Sequence, residues 1–316
     1  MAPLEPLISA VVVAGSQRVR VGRALHSILS QDGMEQAEVV LVDSQRAAGP
    51  VPGGAHPAVR TVYPEDRGTF GDARALGVRQ ARGRYVAFLE DHSVALPGWL
   101  KAVGAALDGP WAGVGAEMHN GNAGVGISDA VWLMNYPPIW RPPARYGPCS
   151  GIPGHNSTYR RDVLMAMGGD LPALLQNEAS LQWKLREQGY EVGIDPAIKV
   201  AHLSETSTIQ LVRGYFAMHR NFGSVRARVC RWSLLSRVLR VLATPLVPAV
   251  RFVRFSYAAL HDRPADVKTI LRFAPVILVA QSAVALGMAV GYVLGPGDSG
   301  RKLLEFETST ERSSGA

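Results

Sequence analysis

A short buried-strand pattern that runs into charged residues constrains this chain more than any other stretch. Gly83 opens the segment, five apolar residues follow at 85–89, and Glu90, Asp91 and His92 come directly after them. An apolar run this short is typical of a strand that is buried on both faces. Because ligands of parallel α/β sheets bind outside the carboxyl ends of strands, these three side chains could hold a divalent cation. The alternative is a strand that ends in an ordinary solvated turn.

The first third of the chain alternates between strand and helix patterns. Strand patterns cover 7–14, 39–42, 59–63 and 85–89, and helical patterns cover 21–31, 68–81 and 97–107. This order predicts an α/β fold with a parallel sheet and helices on both faces. Right-handed crossovers then bring Ala14, Asp43 and the 90–92 segment to one edge, which is the expected nucleotide cleft.

The expected cleft has no glycine-rich phosphate loop. No GxGxxG follows the first strand, and GxxxxGK[ST] does not occur in the sequence. A bound metal is therefore the expected means of neutralising a diphosphate. Asp43 could accept hydrogen bonds from a ribose or a base, or it could cap the next segment as an ordinary turn residue.

A second carboxylate and a later histidine are further candidates. Glu178 lies at helical spacing with Leu174 and Leu181 in a pattern that predicts one helix over 171–189. A carboxylate on an apolar stripe is consistent with a general base or with a capping role near the helix start. His202 follows the strand pattern of 190–200, where it could be a metal or phosphate ligand or a structural residue.

Charge and cysteine content narrow the functional classes. The net charge is +7, and residues 213–272 hold twelve Lys and Arg against two Asp, so this block alone has a balance of +10. A basic block beside apolar segments favours an anionic membrane surface, and no nucleic-acid-binding motif accompanies it. The two cysteines imply no disulfide framework, and no CxxC or HxxxH spacing indicates structural zinc.

The C-terminal third predicts a membrane-associated region. Residues 273–294 are 22 positions without a charge, which matches the thickness of a bilayer core, although a buried core helix has the same pattern. The segment 234–260 mixes apolar runs with arginines, which favours interfacial helices, with a shallow hairpin as the alternative. Basic residues precede the apolar segment, so its N-terminal side is expected in the cytoplasm.

Four segments together resemble family 2 glycosyltransferases with the GT-A fold, over about residues 7–222. They are the first strand with the helix that follows it, Val39–Asp43, the helix 73–83 running into Phe88-Leu89-Glu90-Asp91-His92, and Asn156–Leu164 with the later Glu178, Gly189 and His202. The resemblance implies a mixed sheet flanked by helices. It also implies a nucleotide-diphosphate sugar as donor and a divalent cation, Mn²⁺ or Mg²⁺, as cofactor.

The same resemblance implies a role for each candidate residue. Ala14, Asp43, Arg74, Glu90 and Asp91 would bind the nucleotide-sugar. Asp91, His92 and His202 would hold the metal. Glu178 would act as the catalytic base, and His155 and Asn156 would lie in the acceptor or sugar pocket.

The sequence departs from the family pattern at three places. His92 replaces the last aspartate of the Asp-x-Asp metal motif, and an imidazole suits Mn²⁺ better than Mg²⁺. Asn177 replaces the glutamate before the base. The processive Gln-x-x-Arg-Trp motif keeps only Arg220, which favours the addition of a single sugar.

These observations predict an inverting, membrane-anchored bacterial glycosyltransferase acting on a lipid-linked or polysaccharide-precursor acceptor, without a nucleic-acid partner. Its predicted location is the cell inner membrane, with a cytoplasmic catalytic domain. The predicted divisions are a GT-A domain at 1–222, interfacial helices at 223–265, a transmembrane helix at 266–296 and a flexible tail at 297–316. The alternatives are a membrane-tethered binding protein that has lost catalysis and a sugar nucleotidyltransferase.

Overall fold

The computed structural model describes residues 6–66 and 68–312, with the side chain of Glu178 outside that description. The chain divides into two compact units. The first runs to Gly121 and includes Ile139–His202 and Glu307–Ser309. The second consists of Asn122–Pro138, Leu203–Phe306 and the residues from Thr310 onward. The predicted domain boundary at residue 222 remains an expectation. The last long segment of the first unit ends at His202, and the second unit continues from Leu203.

One mixed sheet forms the centre of the first unit. In the described residues its strands follow the order β3-β2-β1-β4-β8-β6-β9-β5, with β7 paired to β9. The strands are β1 Ile8–Ala14, β2 Ala37–Asp43, β3 Val59–Val62, β4 Tyr85–Phe88, β5 Ser93–Ala95, β6 Gly113–Asn120, β7 Gly147–Pro148, β8 Ser157–Arg160 and β9 Val192–His202.

The parallel half of the sheet is the part predicted from residues 7–110. β1 is parallel to both β2 and β4, and β2 is parallel to β3. All seven residues of β1 are buried, as an apolar strand covered on both faces requires. β8 runs antiparallel to β4 and β6, so the sheet is mixed, and the fold implied by the resemblance is confirmed.

Helices cover the sheet of the first unit. They are α1 Arg18–Leu29, α2 Phe70–Gln80, α3 Trp99–Leu107, α5 Arg161–Met165, α6 Leu171–Gln176 and α7 Glu178–Glu187. Thr69 and Asp72 form a capping box that begins α2. Gly77 lets α2 approach β1 closely, because a Cβ atom there would lie 2.4 Å from a methyl carbon of Val11.

The single helix predicted over 171–189 is two helices in the structure. Asn177 has an extended backbone (φ −137°, ψ 107°) and separates α6 from α7. Glu178 is consequently the first residue of α7 rather than a mid-helix residue. In α7 the predicted apolar positions Leu181 and Leu185 are buried, whereas in α6 the buried leucine is Leu175 and the predicted Leu174 is half-buried.

The second unit is helical in its described residues. Its helices are α4 Ser128–Asn135, α8 Thr208–Val229, α9 Leu234–Ala243, α10 Val247–Asp262, α11 Asp266–Arg272, α12 Ala274–Leu294 and α13 Ser299–Ser309, of which the last three residues belong to the first unit. The helix α13 lies in the segment predicted as a flexible tail, and it forms because Leu303 is buried on one side of it.

The helix α12 packs closely along α8. A Cβ atom on Gly287 would lie 2.6 Å from the carbonyl oxygen of Phe216, and one on Gly291 would lie 2.2 Å from that of Arg220. Glycine is therefore required for this backbone approach. Among the described residues, α12 is the one helix long and apolar enough to cross a membrane, and 56% of its most apolar window is buried inside the protein.

Candidate functional site

The carboxyl ends of β1, β2 and β4 meet at one edge of the sheet, as the strand order requires. In the register, Ala14 at the end of β1 lies beside Asp43 at the end of β2. The polar segment 90–92 follows β4, and the next strand pairs Ser93 with His202 of β9. This pairing brings a histidine more than a hundred positions away to the side of Glu90 and His92.

Glu90, His92 and His202 form a buried cluster with the donor set of a metal site. One ligand atom from each residue lies within 4.8 Å of the others. The Glu90 Oε2 atom is 3.3 Å from His92 Nε2 and 3.2 Å from His202 Nε2. One carboxylate oxygen and two imidazole nitrogens suit Mn²⁺ and similar transition-metal ions better than they suit Mg²⁺.

Glu90 is held in its charged form. Burial raises the pKa of its carboxyl group, but the charges of His155 and His92 and hydrogen bonds from His202 and His92 outweigh that effect. The pKa of Glu90 therefore lies well below its ordinary value. A deprotonated carboxylate is the form that coordinates a cation.

Asp91 bonds His92 and Arg20 and is not part of the cluster of Glu90, His92 and His202. Its Oδ1 atom is 2.9 Å from His92 Nδ1, and its Oδ2 atom accepts a hydrogen bond of 2.8 Å from Arg20. When a cation binds, His92 would give up the proton on Nε2 and keep the Nδ1 proton for Asp91, so that the Nε2 lone pair faces the cation. This carboxylate–histidine arrangement is the one that commonly orients metal-bound histidines.

The candidate nucleotide residues Asp43 and Arg74 have protein partners in the structure. Asp43 forms a two-pronged ion pair with Arg18, at 2.9 and 3.1 Å. Arg74 lies across the ring of Phe70, with 4.3 Å from its guanidinium carbon to the ring centroid, and contacts His155. Both Asp43 and Arg74 are buried.

The two residues predicted for the acceptor or sugar pocket contact Glu90. His155 Nδ1 lies 3.2 Å from Glu90 Oε1. Asn156 donates from Nδ2 to Glu90 Oε2 at 3.2 Å and accepts at Oδ1 from the Glu90 amide at 3.3 Å. The structure thus brings both residues to the same carboxylate as the metal-site histidines.

The predicted base is the part of the site for which the structure describes only the backbone. The side chain of Glu178 lies outside the described part of the structure, so its role stays a prediction. Its backbone begins α7.

Sequence reasoning missed two residues at this site, Arg20 and Glu307. Arg20 is buried and bonds both Asp91 and the main-chain carbonyl of Glu307, each at 2.8 Å. The Glu307 carboxylate lies 3.8 Å from His92 Nε2. The helical pattern of 21–31 indicated a helix near Arg20, but no motif distinguishes this arginine from Arg18 or Arg23. Glu307 comes from a distant part of the sequence that resembles a polar tail.

Comparisons with known proteins identify the family and the fold. The model of glycosyl transferase family 2 matches residues 9–168, which is half of the chain. The chain therefore belongs to glycosyl transferase family 2, and it is a glycosyltransferase. No curated protein matches it.

A solved structure shares the fold. The mannosyltransferase PcManGT from Pyrobaculum calidifontis, in complex with GDP-Man and Mn²⁺, is 14% identical with a TM-score of 0.51. The match covers 95% of this chain and 86% of that one. The GT-A fold implied by the resemblance is thereby confirmed.

Proposed function

We propose that this protein transfers one sugar, with inversion, from a nucleotide-diphosphate sugar to a lipid-linked or polysaccharide-precursor acceptor at the membrane. The observation that supports this most is the convergence of Glu90, His92 and His202 at the sheet edge that also holds Asp43. That arrangement offers a cation site for a diphosphate and a carboxylate for a ribose or base at one edge. Mn²⁺ bound to a fold neighbour in complex with GDP-Man is consistent with it.

The cation would be held by Glu90, His92 and His202, with Asp91 as the partner that orients His92. When bound, it would offset the negative charge that develops on the departing diphosphate. Of the two expected cations we choose Mn²⁺ over Mg²⁺, because it accepts imidazole ligands more readily and because the fold neighbour contains Mn²⁺ with GDP-Man.

Protein side chains would bind the nucleoside and activate the acceptor. Asp43 would accept hydrogen bonds from the nucleoside, which requires Arg18 to share or release that carboxylate. Glu178 would take the proton from an acceptor hydroxyl, which then attacks the anomeric carbon from the face opposite the diphosphate. Attack from the opposite face inverts the configuration at that carbon. Loss of the processive motif around Arg220 supports the transfer of one sugar rather than polymerisation.

Membrane association is supported by an outward-facing apolar stripe on α9. Five of its residues share one face and are 42% to 71% exposed: Leu234, Leu235, Val238, Leu239 and Leu242. The opposite face contacts the protein. Arg237 donates to the carbonyls of Trp232 and Tyr292 at 3.1 and 3.3 Å, and the Arg240 guanidinium lies 3.9 Å from the Trp232 ring centroid.

A surface helix of a soluble protein turns its apolar face inward, and α9 does the reverse. The arrangement suits a helix that lies in the interface of a bilayer, with its leucines among the acyl chains. The next helix has a similar stripe. Five apolar residues in and just before α10 recur at alternating spacings of four and three, so they share one face. All are more than half exposed: Leu246, Val250, Val253, Tyr257 and Leu260.

The membrane we propose is the cell inner membrane, with the catalytic unit on its cytoplasmic side. The basic block at 213–272 would attract anionic lipids of that leaflet. The helix α12 is one candidate to anchor the chain more deeply, although its face toward α8 is covered by protein. A spanning helix over 266–296 stays a prediction.

The transfer proposal is tested by incubating the purified protein with a panel of nucleotide-sugars, Mn²⁺ and membrane lipid extract. We expect sugar to be transferred from one donor, and we expect Glu178→Gln to abolish transfer while nucleotide binding is kept. The exposed Glu187, at the other end of α7, gives the matched control Glu187→Gln, which should keep full activity. Undiminished turnover by Glu178→Gln would remove Glu178 as the base. Nucleotide binding without any transfer would favour a non-catalytic binding protein.

A further inference from the structure

Three residues near the C-terminal end lie against the sheet edge where the sugar donor is expected. Glu307, Thr308 and Ser309 belong to the first unit, whereas the residues before and after them in sequence belong to the second. Glu307 and Thr308 are only 5% and 1% exposed. A polar segment so deeply buried at a candidate site calls for a physical reason.

Main-chain carbonyls hold this segment in place. Arg20 donates from Nη2 to the Glu307 carbonyl at 2.8 Å, and the same nitrogen bonds Asp91. Gln17 donates to the Ser309 carbonyl at 3.2 Å. The segment thus uses N–H donors at the start of α1, beside the carboxyl end of β1.

The segment also lies directly on the backbone at the end of β1. A Cβ atom on Gly15 would lie 1.9 Å from the Thr308 carbonyl oxygen, so only glycine allows the contact. Gly15 follows Ala14, which lies beside Asp43, the candidate nucleoside ligand, in the register of β1 and β2. Thr308 therefore lies where a nucleoside would approach the sheet.

Little space is left beside the segment. The cavity bounded by Glu90, His92, His155, Arg74, Glu307 and Thr308 has a volume of about 10 Å³. That is room for about one water molecule, whereas sites for small-molecule ligands and cofactors occupy roughly 300–1,000 Å³. With residues 307–309 in this position, the cavity beside Glu90 and His92 cannot hold a nucleotide-sugar.

We infer that residues 307–309 form an autoinhibitory segment, which occupies the donor site and must leave before a nucleotide-sugar binds. The Glu307 carboxylate, 3.8 Å from His92 Nε2, places a negative charge where the diphosphate of a donor would lie. This inference rests on the proposed function, because it takes the nature of the donor from there. It adds a closed state to the reaction cycle.

The strength of the inhibition depends on the fraction of the protein in which residues 307–309 have left the donor site, which we call the open form. The apparent dissociation constant of a ligand rises in inverse proportion to the binding-competent fraction. If the open form makes up about 10% of the protein or less, removal of the segment tightens donor binding at least about tenfold.

The test replaces the three side chains and keeps the chain length. Glu307→Gly, Thr308→Ser and Ser309→Gly are made together, so that the buried ion pair between Arg312 and Glu205 stays intact. Main-chain carbonyls hold the segment, so the two glycines act by raising the conformational entropy that is lost when the segment is ordered. The single variant Glu307→Gln provides a milder change, and Glu305→Gln is its matched control, because Glu305 is exposed on the same helix. Binding of GDP and of UDP is measured by calorimetry with Mn²⁺.

We expect the triple variant to bind one of these nucleotides at least about tenfold more tightly than the unmodified protein. Glu307→Gln should bind it more tightly than the unmodified protein does, and Glu305→Gln should bind it equally. Hydrogen exchange of the amides of 307–309 in the unmodified protein should become faster when the nucleotide is added.

Two results separate this inference from the proposed function. Nucleotide binding that is equal or weaker in both Glu307 variants, with slower exchange at 307–309, would mean that the segment completes the site, and it would overturn the inference alone. Absence of nucleotide binding by the unmodified protein and both variants would overturn the inference and the proposed donor class together.

Discussion

Replacing Arg20 by Met tests whether this buried arginine holds the acidic side of the site together. Arg20 and Asp91 are 7% and 3% exposed and are joined at 2.8 Å. Loss of one partner of a buried pair costs about 3–5 kcal/mol, because the remaining charge is buried without compensation. Asp91 keeps its contact with His92 Nδ1 at 2.9 Å, so we expect a loss near the lower limit, about 3 kcal/mol.

The assay is urea unfolding followed by circular dichroism in detergent. Arg23→Met is the matched control, because Arg23 lies one turn further along α1 and is exposed. Its substitution should change the free energy of unfolding by no more than about 0.5 kcal/mol. The double variant Arg20→Met with Asp91→Asn should regain at least about 1 kcal/mol relative to Arg20→Met, since it leaves no unpaired charge. Equal stability of Arg20→Met and Arg23→Met would refute the reasoning.

Two further predictions concern packing and the membrane. Gly77→Ala should lower the free energy of unfolding by about 1–3 kcal/mol, because its Cβ atom would lie 2.4 Å from a methyl carbon of the sheet. Gly104→Ala, also within a helix but with 3.8 Å of clearance, should raise it by about 0.5–1 kcal/mol in the same denaturation assay. Leu235→Glu with Leu239→Glu should reduce sedimentation with anionic lipid vesicles, whereas Ser236→Glu on the other face of α9 should not. If the Leu235→Glu and Leu239→Glu double variant sedimented with the vesicles as much as the Ser236→Glu variant, α9 would not lie in the membrane interface.

Much of the first unit could be predicted from local sequence. The apolar runs of β1, β2 and β4 are short and buried on both faces, and parallel strands of this kind have few possible arrangements. The meeting of Ala14 with Asp43 at one edge follows from that topology alone. The antiparallel partner β8 was harder to foresee, because strand direction depends on pairing between segments about seventy residues apart.

The arrangement of the acidic motif could not be predicted from sequence. Glu90, Asp91 and His92 are adjacent, and only the structure reveals that Glu90 and His92 face His202 whereas Asp91 faces Arg20. The break at Asn177 was also hidden, because the apolar spacing continues from α6 into α7. The prediction that Asp91 is itself a metal ligand is untested, and its bonds to His92 and Arg20 are the reason that we propose an orienting role for it instead.

The contacts of Glu307 were the least predictable part of the site. A polar segment at the end of a chain resembles a solvated tail, and no local pattern indicates that it is buried against β1. Such a contact depends on the shape of the remote site.

The central claim is that Glu90, His92 and His202 hold the cation of a sugar transferase. The most direct measurement is Mn²⁺ binding by electron paramagnetic resonance, compared between the unmodified protein, His202→Ala and the exposed-residue control His26→Ala. We expect His202→Ala to weaken Mn²⁺ binding at least about tenfold, since even loss of an outer partner of a metal ligand costs about 10–100-fold. We expect His26→Ala to bind Mn²⁺ as the unmodified protein does. Equal affinity in His202→Ala and His26→Ala would show that His202 is not a ligand of the cation.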